Sequence, residues 1–244
     1  MSRGVGRRRY RPRMDIVLVP GFWLDASSWD GVTPALVAAG HRVHPLTLPG
    51  KESLDADRSG ITLRDHIDAV IRVVDSLDAQ VVLVGHSGGG GIVHAVADAR
   101  PERIARVVYV DSGPLGNGDV INDELPSADG EIPLPAWTTF DDDDLVDLTD
   151  DLRAEFRARA IPEPAGVANG KQELSNDARY DVPVTVIACE YNAAALERWM
   201  DAGEAYVAEL ARITNRELVD LPTGHWPQFT RPQALGAVIL DAIR

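Results

Sequence analysis

The chain has 244 residues, 45% of them apolar, one cysteine at position 189 and a formal net charge of −14. That length fits one large α/β domain or two small ones. It buries roughly three quarters of the unfolded surface, so neither disulfide nor metal is needed for folding. A single cysteine excludes an intramolecular disulfide and a cysteine-rich zinc site, and the acid excess speaks against nucleic-acid binding, which needs a basic face.

The charge is unevenly spread. Residues 1–13, MSRGVGRRRYRPR, hold six arginines and no acid, leaving 18 basic residues against 38 acidic ones in the rest. A secretory or twin-arginine signal needs an apolar stretch after its basic part. Here the apolar run IVLVPGFWL is interrupted by Pro20 and Gly21. Residues 1–13 are therefore expected to be a disordered extension, with Met14 a candidate start. No run of about 18 apolar residues exists, so no membrane span is expected. The lone cysteine fits a reducing compartment, and a cytoplasmic location is expected.

The first expected strand is 16–19 and the second 42–46. Next, Thr62-Leu63-Arg64-Asp65 has the spacing of a capping box, with Asp in place of Glu. Leu63, Ile67, Val70, Ile71, Val74 and Leu77 then recur at helical spacing and give one apolar face. A third strand, 81–85, leads into a glycine run and a helix that Arg100-Pro101 stops. A fourth strand follows at 105–110. From 114 to 181 the rhythm fails: the segment is rich in Asp, Glu and Pro and has no good strand. A structureless loop of that length is out of place in a compact domain, so an inserted lid is expected. Its FDDDDLVDLTDDL run reads as a solvated face and helix N-terminus; with no histidine nearby it is a poor metal site. Strands are expected again at 184–188 and 217–221. Between them, 193–212 reads as one or two helices broken at Gly203. Pro232 opens a last helix ending near Ile243.

Each strand run is short and apolar without clean alternation, as strands buried on both faces are. The fold class that follows is α/β: a mainly parallel six-stranded sheet with helices on both faces. Residues 14–244 form one expected domain, with core 14–113 and 182–244 and a lid at 114–181.

One stretch carries chemistry. In VVLVGHSGGGGIVH, Gly85-His86-Ser87-Gly88-Gly89 matches G-x-S-x-G with a strand before it and a helix after it, the setting that motif requires. A helix interior avoids glycine at about 1 kcal/mol each relative to alanine, so close backbone approach must be deciding these positions. The turn lifts the Ser87 hydroxyl above the sheet edge and aims the Gly88 N–H at the same point. Gly90 and Gly91 have two readings, room for substrate or tight helix–sheet packing. A serine hydroxyl needs a base. His225, in DLPTGHWPQFTRP, sits between the last strand and the last helix, on the edge that carries Ser87. His41, His44 and His66 are expected elsewhere; His86 and His94 read as structural.

With these marks the chain resembles an α/β-hydrolase, of the small type related to plant-type methylesterases and bacterial esterases. The resemblance runs through VLVPGFWLDASSW, VVLVGHSGGG, VVYVDSGP and LPTGHWPQFTRP and covers nearly all of 15–244. It departs at Pro20, where the family normally has histidine before the glycine. The resemblance implies that Phe22 supplies a second oxyanion-hole N–H beside that of Gly88. It places the third triad member after the strand before the last, where VTVIACEYNAAA offers Glu190, with Tyr191 and Asn192 at the usual position. Some relatives take the acid from the preceding strand end, here Asp111. Asp111 is preferred, because its strand lies next to the serine's and Asp is short enough to sit under an imidazole. Glu190 is the rival, and Asp220 a weaker candidate.

The expected activity is that of a serine hydrolase, cleaving a carboxylic ester or lactone without cofactor or metal. Trp23, Trp137 and Trp226 suggest an apolar or aromatic small substrate, although the same rings could simply pack the lid. Rival readings keep the fold and change the use: a hydroxynitrile-lyase type, against which Trp226 stands where the plant enzymes have lysine after the histidine; a perhydrolase or haloperoxidase type; and a non-catalytic small-molecule receptor. A dehalogenase would need Asp at position 87. Nothing in the sequence fixes an oligomeric state.

Overall fold

The computed structural model describes residues 13–244. The expectation of disorder for the basic extension falls almost wholly outside them.

In chain order the elements are β1 (Asp15–Val19), α1 (Thr33–Ala38), β2 (Arg42–Pro45), α2 (Leu63–Ser76), β3 (Val81–His86), α3 (Gly88–Ala99) and β4 (Ile104–Val110). Then come β5 (Glu131–Ile132), α4 (Asp150–Arg159), β6 (Glu163–Pro164) and α5 (Ala165–Ala168), followed by β7 (Val184–Ala188) and α6 (Ala193–Ala202). The chain closes with α7 (Ala208–Arg212), β8 (Arg216–Asp220), α8 (Pro227–Thr230) and α9 (Pro232–Ala242). Six strands form one parallel sheet in the order β2-β1-β3-β4-β7-β8. They match the expected strands to within a residue at every end. The exception to the strand expectations is in 114–181, where β5 and β6 pair as a two-residue antiparallel ribbon.

Alternate side chains explain why the strands read as unbroken apolar runs. Val17, Val19, Leu83, Val107, Tyr109 and Val186 face a core shared with α2 and α3. Ile16, Leu18, Val82, Val84, Val108 and Ile187 face a second core that includes Leu36 of α1 and Leu235 and Ile239 of α9. Both faces are dry, so neither face of a central strand needs polar residues.

The helix boundaries follow local chemistry. The Thr62 side chain accepts from the Asp65 N–H while Asp65 Oδ2 accepts from the Thr62 N–H at 2.9 Å, closing the capping box. Gly203 ends α6 in the left-handed region at φ 74°, the conformation glycine adopts without strain.

Segment 114–181 packs on the loops at the carboxyl ends of the strands. Its Ile161 N–H donates to Trp23 O at 2.9 Å, and its Asp144 O accepts from His225 N–H at 2.8 Å. Lys51, buried in the loop after β2, donates to Ile161 O, Pro162 O and Glu163 Oε2 at 2.7, 3.2 and 2.9 Å. Burial pulls the Lys51 ammonium down from its ordinary range, while Glu163 opposes that shift. A buried cation stripped of its counter-charge costs about 3–5 kcal/mol. Glu163→Ala is accordingly expected to lower unfolding free energy by about that amount. Urea unfolding measures it, and a change below ~1 kcal/mol would show that the two backbone carbonyls suffice.

Candidate active site

Ser87 stands at the turn between β3 and α3 with φ 52° and ψ −127°, outside the regions an L residue prefers. Five non-glycine residues among those described have positive φ; three of them, Trp23, Ser87 and Asp111, lie on the strand-end loops that meet here. Strain of this kind persists only where the surroundings impose it. The surroundings are tight backbone. A Cβ on Gly85 would sit 2.6 Å from Gly89 O, and one on Gly89 would sit 2.7 Å from Pro20 O. The further glycines resolve into one reading each. A Cβ on Gly90 would come within 2.0 Å of Ser112 Oγ, which donates to Ser87 O at 2.7 Å. Gly91 lines the cavity, with Leu115 and Ile121 against it at 3.3–3.4 Å. Gly90 thus makes room for a hydrogen bond that braces the turn, and Gly91 for the cavity wall.

His225, from the loop after β8, reaches Ser87 Oγ with Nε2 at 2.8 Å and Asp111 Oδ2 with Nδ1 at 2.7 Å. Asp111, at the end of β4, is buried, and its Oδ1 accepts from the Cys189 and Glu190 N–H groups at 2.9 and 3.2 Å. Glu190 Oε2 lies 3.5 Å from the same His225 nitrogen, at the limit of hydrogen-bond reach. Both candidate acids therefore face one ring atom, with Asp111 in direct contact. Asp220 instead accepts from the Ala193 N–H at the start of α6.

Phe22 and Gly88 both line the cavity beside Ser87. The Phe22 ring covers Gly88, whose absent Cβ would meet Phe22 Cε1 at 2.7 Å. Among the described residues, neither backbone N–H has a protein acceptor. Of the three tryptophans, only Trp23 lines the cavity. Trp137 and Trp226 pack instead in an apolar cluster with Phe140 and Phe156. Trp226 is buried and meets Phe140, Phe156 and Trp137 edge-to-face at 5.2–5.9 Å and His225 at 5.1 Å.

Two further groups bear on the site: His86, which the sequence reads as structural, and Asp144, which the sequence leaves within the solvated acidic run. His86 Nε2–H donates to His225 O at 2.7 Å, and its Nδ1 accepts from Gln228 Nε2 at 3.1 Å. A carbonyl only accepts, so this tautomer is forced. Burial, with His225 nearby, holds the His86 imidazole down at about 3, so it stays neutral. Asp144, one acid of the FDDDD run, is pushed up to about 6 by burial and by its hydrogen bond to, and repulsion from, Glu190. Only its neighbour in space distinguishes it from the three exposed aspartates before it.

Residues 16–238 match the family model described as the alpha/beta hydrolase family. The chain belongs to that family. It is 27% identical over 247 residues to a pyrethroid hydrolase of Sphingobium wenxiniae, spanning 93% of this chain and 86% of that one. A carbendazim hydrolyzing esterase of a Nocardioides species is 34% identical over 116 residues, 47% of this chain and 48% of the relative. A putative chloroplastic methylesterase of Arabidopsis thaliana is 26% identical over 92% of this chain and 55% of its own length. Among solved structures, an extracellular alpha/beta-hydrolase from a Paenibacillus species superposes with TM-score 0.75 at 21% identity, over 94% of this chain and 98% of that one. That likeness is one of fold. Among the described residues no helix is long and apolar enough to cross a membrane.

The charge on His225 follows from its partners. Burial disfavours the imidazolium, but the hydrogen bonds that its Nδ1–H donates to Asp111 and Glu190, and their negative charge, outweigh it, pushing the group up to about 10. Its proton is therefore held well above neutral pH. Glu190→Gln removes one of the two charges and is expected to lower that pKa while Asp111 remains in place. NMR titration of the imidazole checks this, and an unmoved midpoint would mean that Glu190 exerts no influence on the ring.

Proposed function

We propose that the protein is a serine esterase, cleaving a carboxylic ester or lactone of a small apolar or aromatic molecule through an acyl-enzyme. The observation that carries this reading is the unbroken hydrogen-bonded series Asp111–His225–Ser87, with both links under 3 Å. The relatives named for pyrethroid, carbendazim and methyl-ester hydrolysis support it.

With His225 neutral, its Nδ1–H donates to Asp111 and its Nε2 accepts from the Ser87 hydroxyl. Ser87 Oγ attacks the carbonyl carbon as its proton passes to Nε2. Negative charge then builds on the carbonyl oxygen, where the Phe22 and Gly88 N–H groups donate. Each such donor is typically worth about 3 kcal/mol in the transition state. Collapse expels the alcohol, which takes the Nε2 proton and leaves an ester on Ser87. Water repeats the route, giving its proton to His225 and releasing the acid. Asp111 orients the ring and stabilises its charged form throughout. Glu190 adds charge at the same nitrogen but sits at the margin of contact, so Asp111 is the triad acid in this scheme.

The scheme uses no cofactor or metal. Asp111, Glu190 and His225 bring one ligand atom each within 4.8 Å, a donor spacing a small cation could also use. Here Asp111 is already committed to His225 and two backbone amides. Segment 114–181 acts as the lid: its Phe140, Leu125 and Ile121 line the cavity above Ser87 and favour an apolar substrate. A cytoplasmic setting accords with a lone, buried, unpaired Cys189.

A fluorophosphonate is expected to form one adduct, on Ser87, as read by peptide mass spectrometry, and none in Ser87→Ala. Asp111→Asn should cut kcat by about 10⁴-fold, and Glu190→Gln by far less. A wild-type protein that stays unlabelled while a standard esterase reacts would overturn the reading. Because only neutral His225 can take the serine proton, kcat/KM should rise with pH beyond the ordinary histidine range.

A further inference from the structure

The cavity at Ser87 has a volume of about 640 Å³. Behind the loop that follows β4 lies a second cavity of about 300 Å³. Residues 111–114 line both, and so does Tyr206. The second cavity has its own wall of Tyr191, Leu196, Trp199, Val207 and Leu210, almost entirely apolar. Its aromatic rings are already arranged edge-on: Tyr191 and Trp199 lie 5.7 Å apart at 60°, and Trp199 and Tyr206 lie 5.4 Å apart at 70°.

Two details concern passage between the cavities. Gly113, on the shared stretch, would place a Cβ in open space, with no atom within 4 Å. The partition therefore carries no side chain at that point. Tyr206 is 61% exposed, unusual for a large apolar ring, and stands at the margin of both spaces. A ring left in water beside an apolar hollow gains by closing on an apolar guest.

We propose that this hollow is a second substrate subsite, which takes an aromatic or other bulky apolar arm of the ester while its carbonyl sits at Ser87. The proposal rests on the esterase reading above and narrows the substrate class to esters with one large apolar arm. The volume supports the assignment. A dry apolar cavity of about 150 Å³ holds benzene, so 300 Å³ accommodates a fused two-ring group. Tyr191 stands where the resemblance places the usual acid. With His225 served by Asp111 instead, that position is free to supply an aromatic wall.

The test compares phenyl acetate with 2-naphthyl acetate and phenyl 2-naphthoate, which carry the second ring on opposite arms. The wild-type protein is expected to show higher kcat/KM for at least one naphthyl ester than for phenyl acetate. Val207→Phe and Leu196→Trp, which fill the hollow from the wall that belongs to it alone, should reduce that kcat/KM by about tenfold or more. Phenyl acetate should lose less than about threefold. Equal losses on all three esters, or no naphthyl preference in the wild type, would overturn the subsite. A separate readout needs no turnover: 2-naphthol binding to Ser87→Ala by calorimetry, repeated with Leu196→Trp added. Binding that the second change abolishes supports the subsite, and binding that it leaves intact refutes it. Should no ester be turned over, the esterase reading falls while this titration still decides the subsite.

Discussion

The structure depends on one constraint: a serine held at a backbone angle that L residues avoid, at the carboxyl end of a central strand. The elbow is tight enough that α3 must start against the backbone of β1 and β3. Side chains at Gly85 or Gly89 would strike carbonyl oxygens at 2.6–2.7 Å. That contact is possible only if β1 and β3 are neighbours and parallel, with their ends level, which the pairing Val19↔Gly85 provides. The apolar character of the strands follows in turn. A sheet that keeps helices packed on both faces leaves its central strands no face for water, and the local strain at Ser87 is offset by the two cores that hold those strands in place.

The second dependency is that of His225 on its loop. His225 lies five residues past the end of β8, in a loop with no regular secondary structure to orient it. Three backbone hydrogen bonds do so. His86 holds the His225 carbonyl, Asp144 O holds its N–H, and Val146 O accepts from the Gly224 N–H at 3.2 Å. Two of the three come from segment 114–181. Gly224 is close-packed there as well, since a Cβ would lie 2.2 Å from Asp144 O. Segment 114–181 therefore helps to hold His225 in place: a shift of the 141–147 stretch would move the imidazole with it. The same stretch brings Asp144 to Glu190, so the placement of the loop is tied to the protonation of Asp144 beside the ring.

This division of labour explains what the sequence made legible. The four central strands could be read because burial on both faces leaves a local trace, a short apolar run rich in β-branched residues; the edge strands β2 and β8 are partly exposed and leave a weaker one. Ser87 could be read because its strain demands glycines at fixed offsets. His225 could be read from its place after the last strand. For the partner carboxylate the sequence favours Asp111 over its rival Glu190 without deciding between them. Both lie at the ends of adjacent strands, and the closer approach of Asp111 to His225 accompanies its φ of 44° and two amides on its other oxygen. Those are tertiary facts with no local pattern. The tryptophans are similar. Trp23, Trp137 and Trp226 are equivalent as letters, and only the packing of the insertion decides that Trp23 meets the cavity while the other two fill the aromatic cluster. Asp144 sits in a run of four aspartates and is set apart solely by what it touches.

The way the insertion is anchored completes the physical picture. Its aromatic cluster supplies burial, but apolar packing is non-directional and would tolerate several orientations of the segment. The buried charges sit where direction is needed. Lys51 pairs with Glu163 within the insertion, and Arg179, near its end, pairs with Asp98 of α3 and Glu209 of α7. His94 of α3 and Tyr180 join the second network through Glu209 at 3.0 Å each. Buried ion pairs add little net stability, because desolvation consumes most of the attraction. Breaking one is nevertheless costly, so an arrangement of the segment that separates these partners is disfavoured. Charge pairs near its far end and along it thus select one placement of the insertion, and that placement is the one that holds the carbonyl of Asp144 against the N–H of His225.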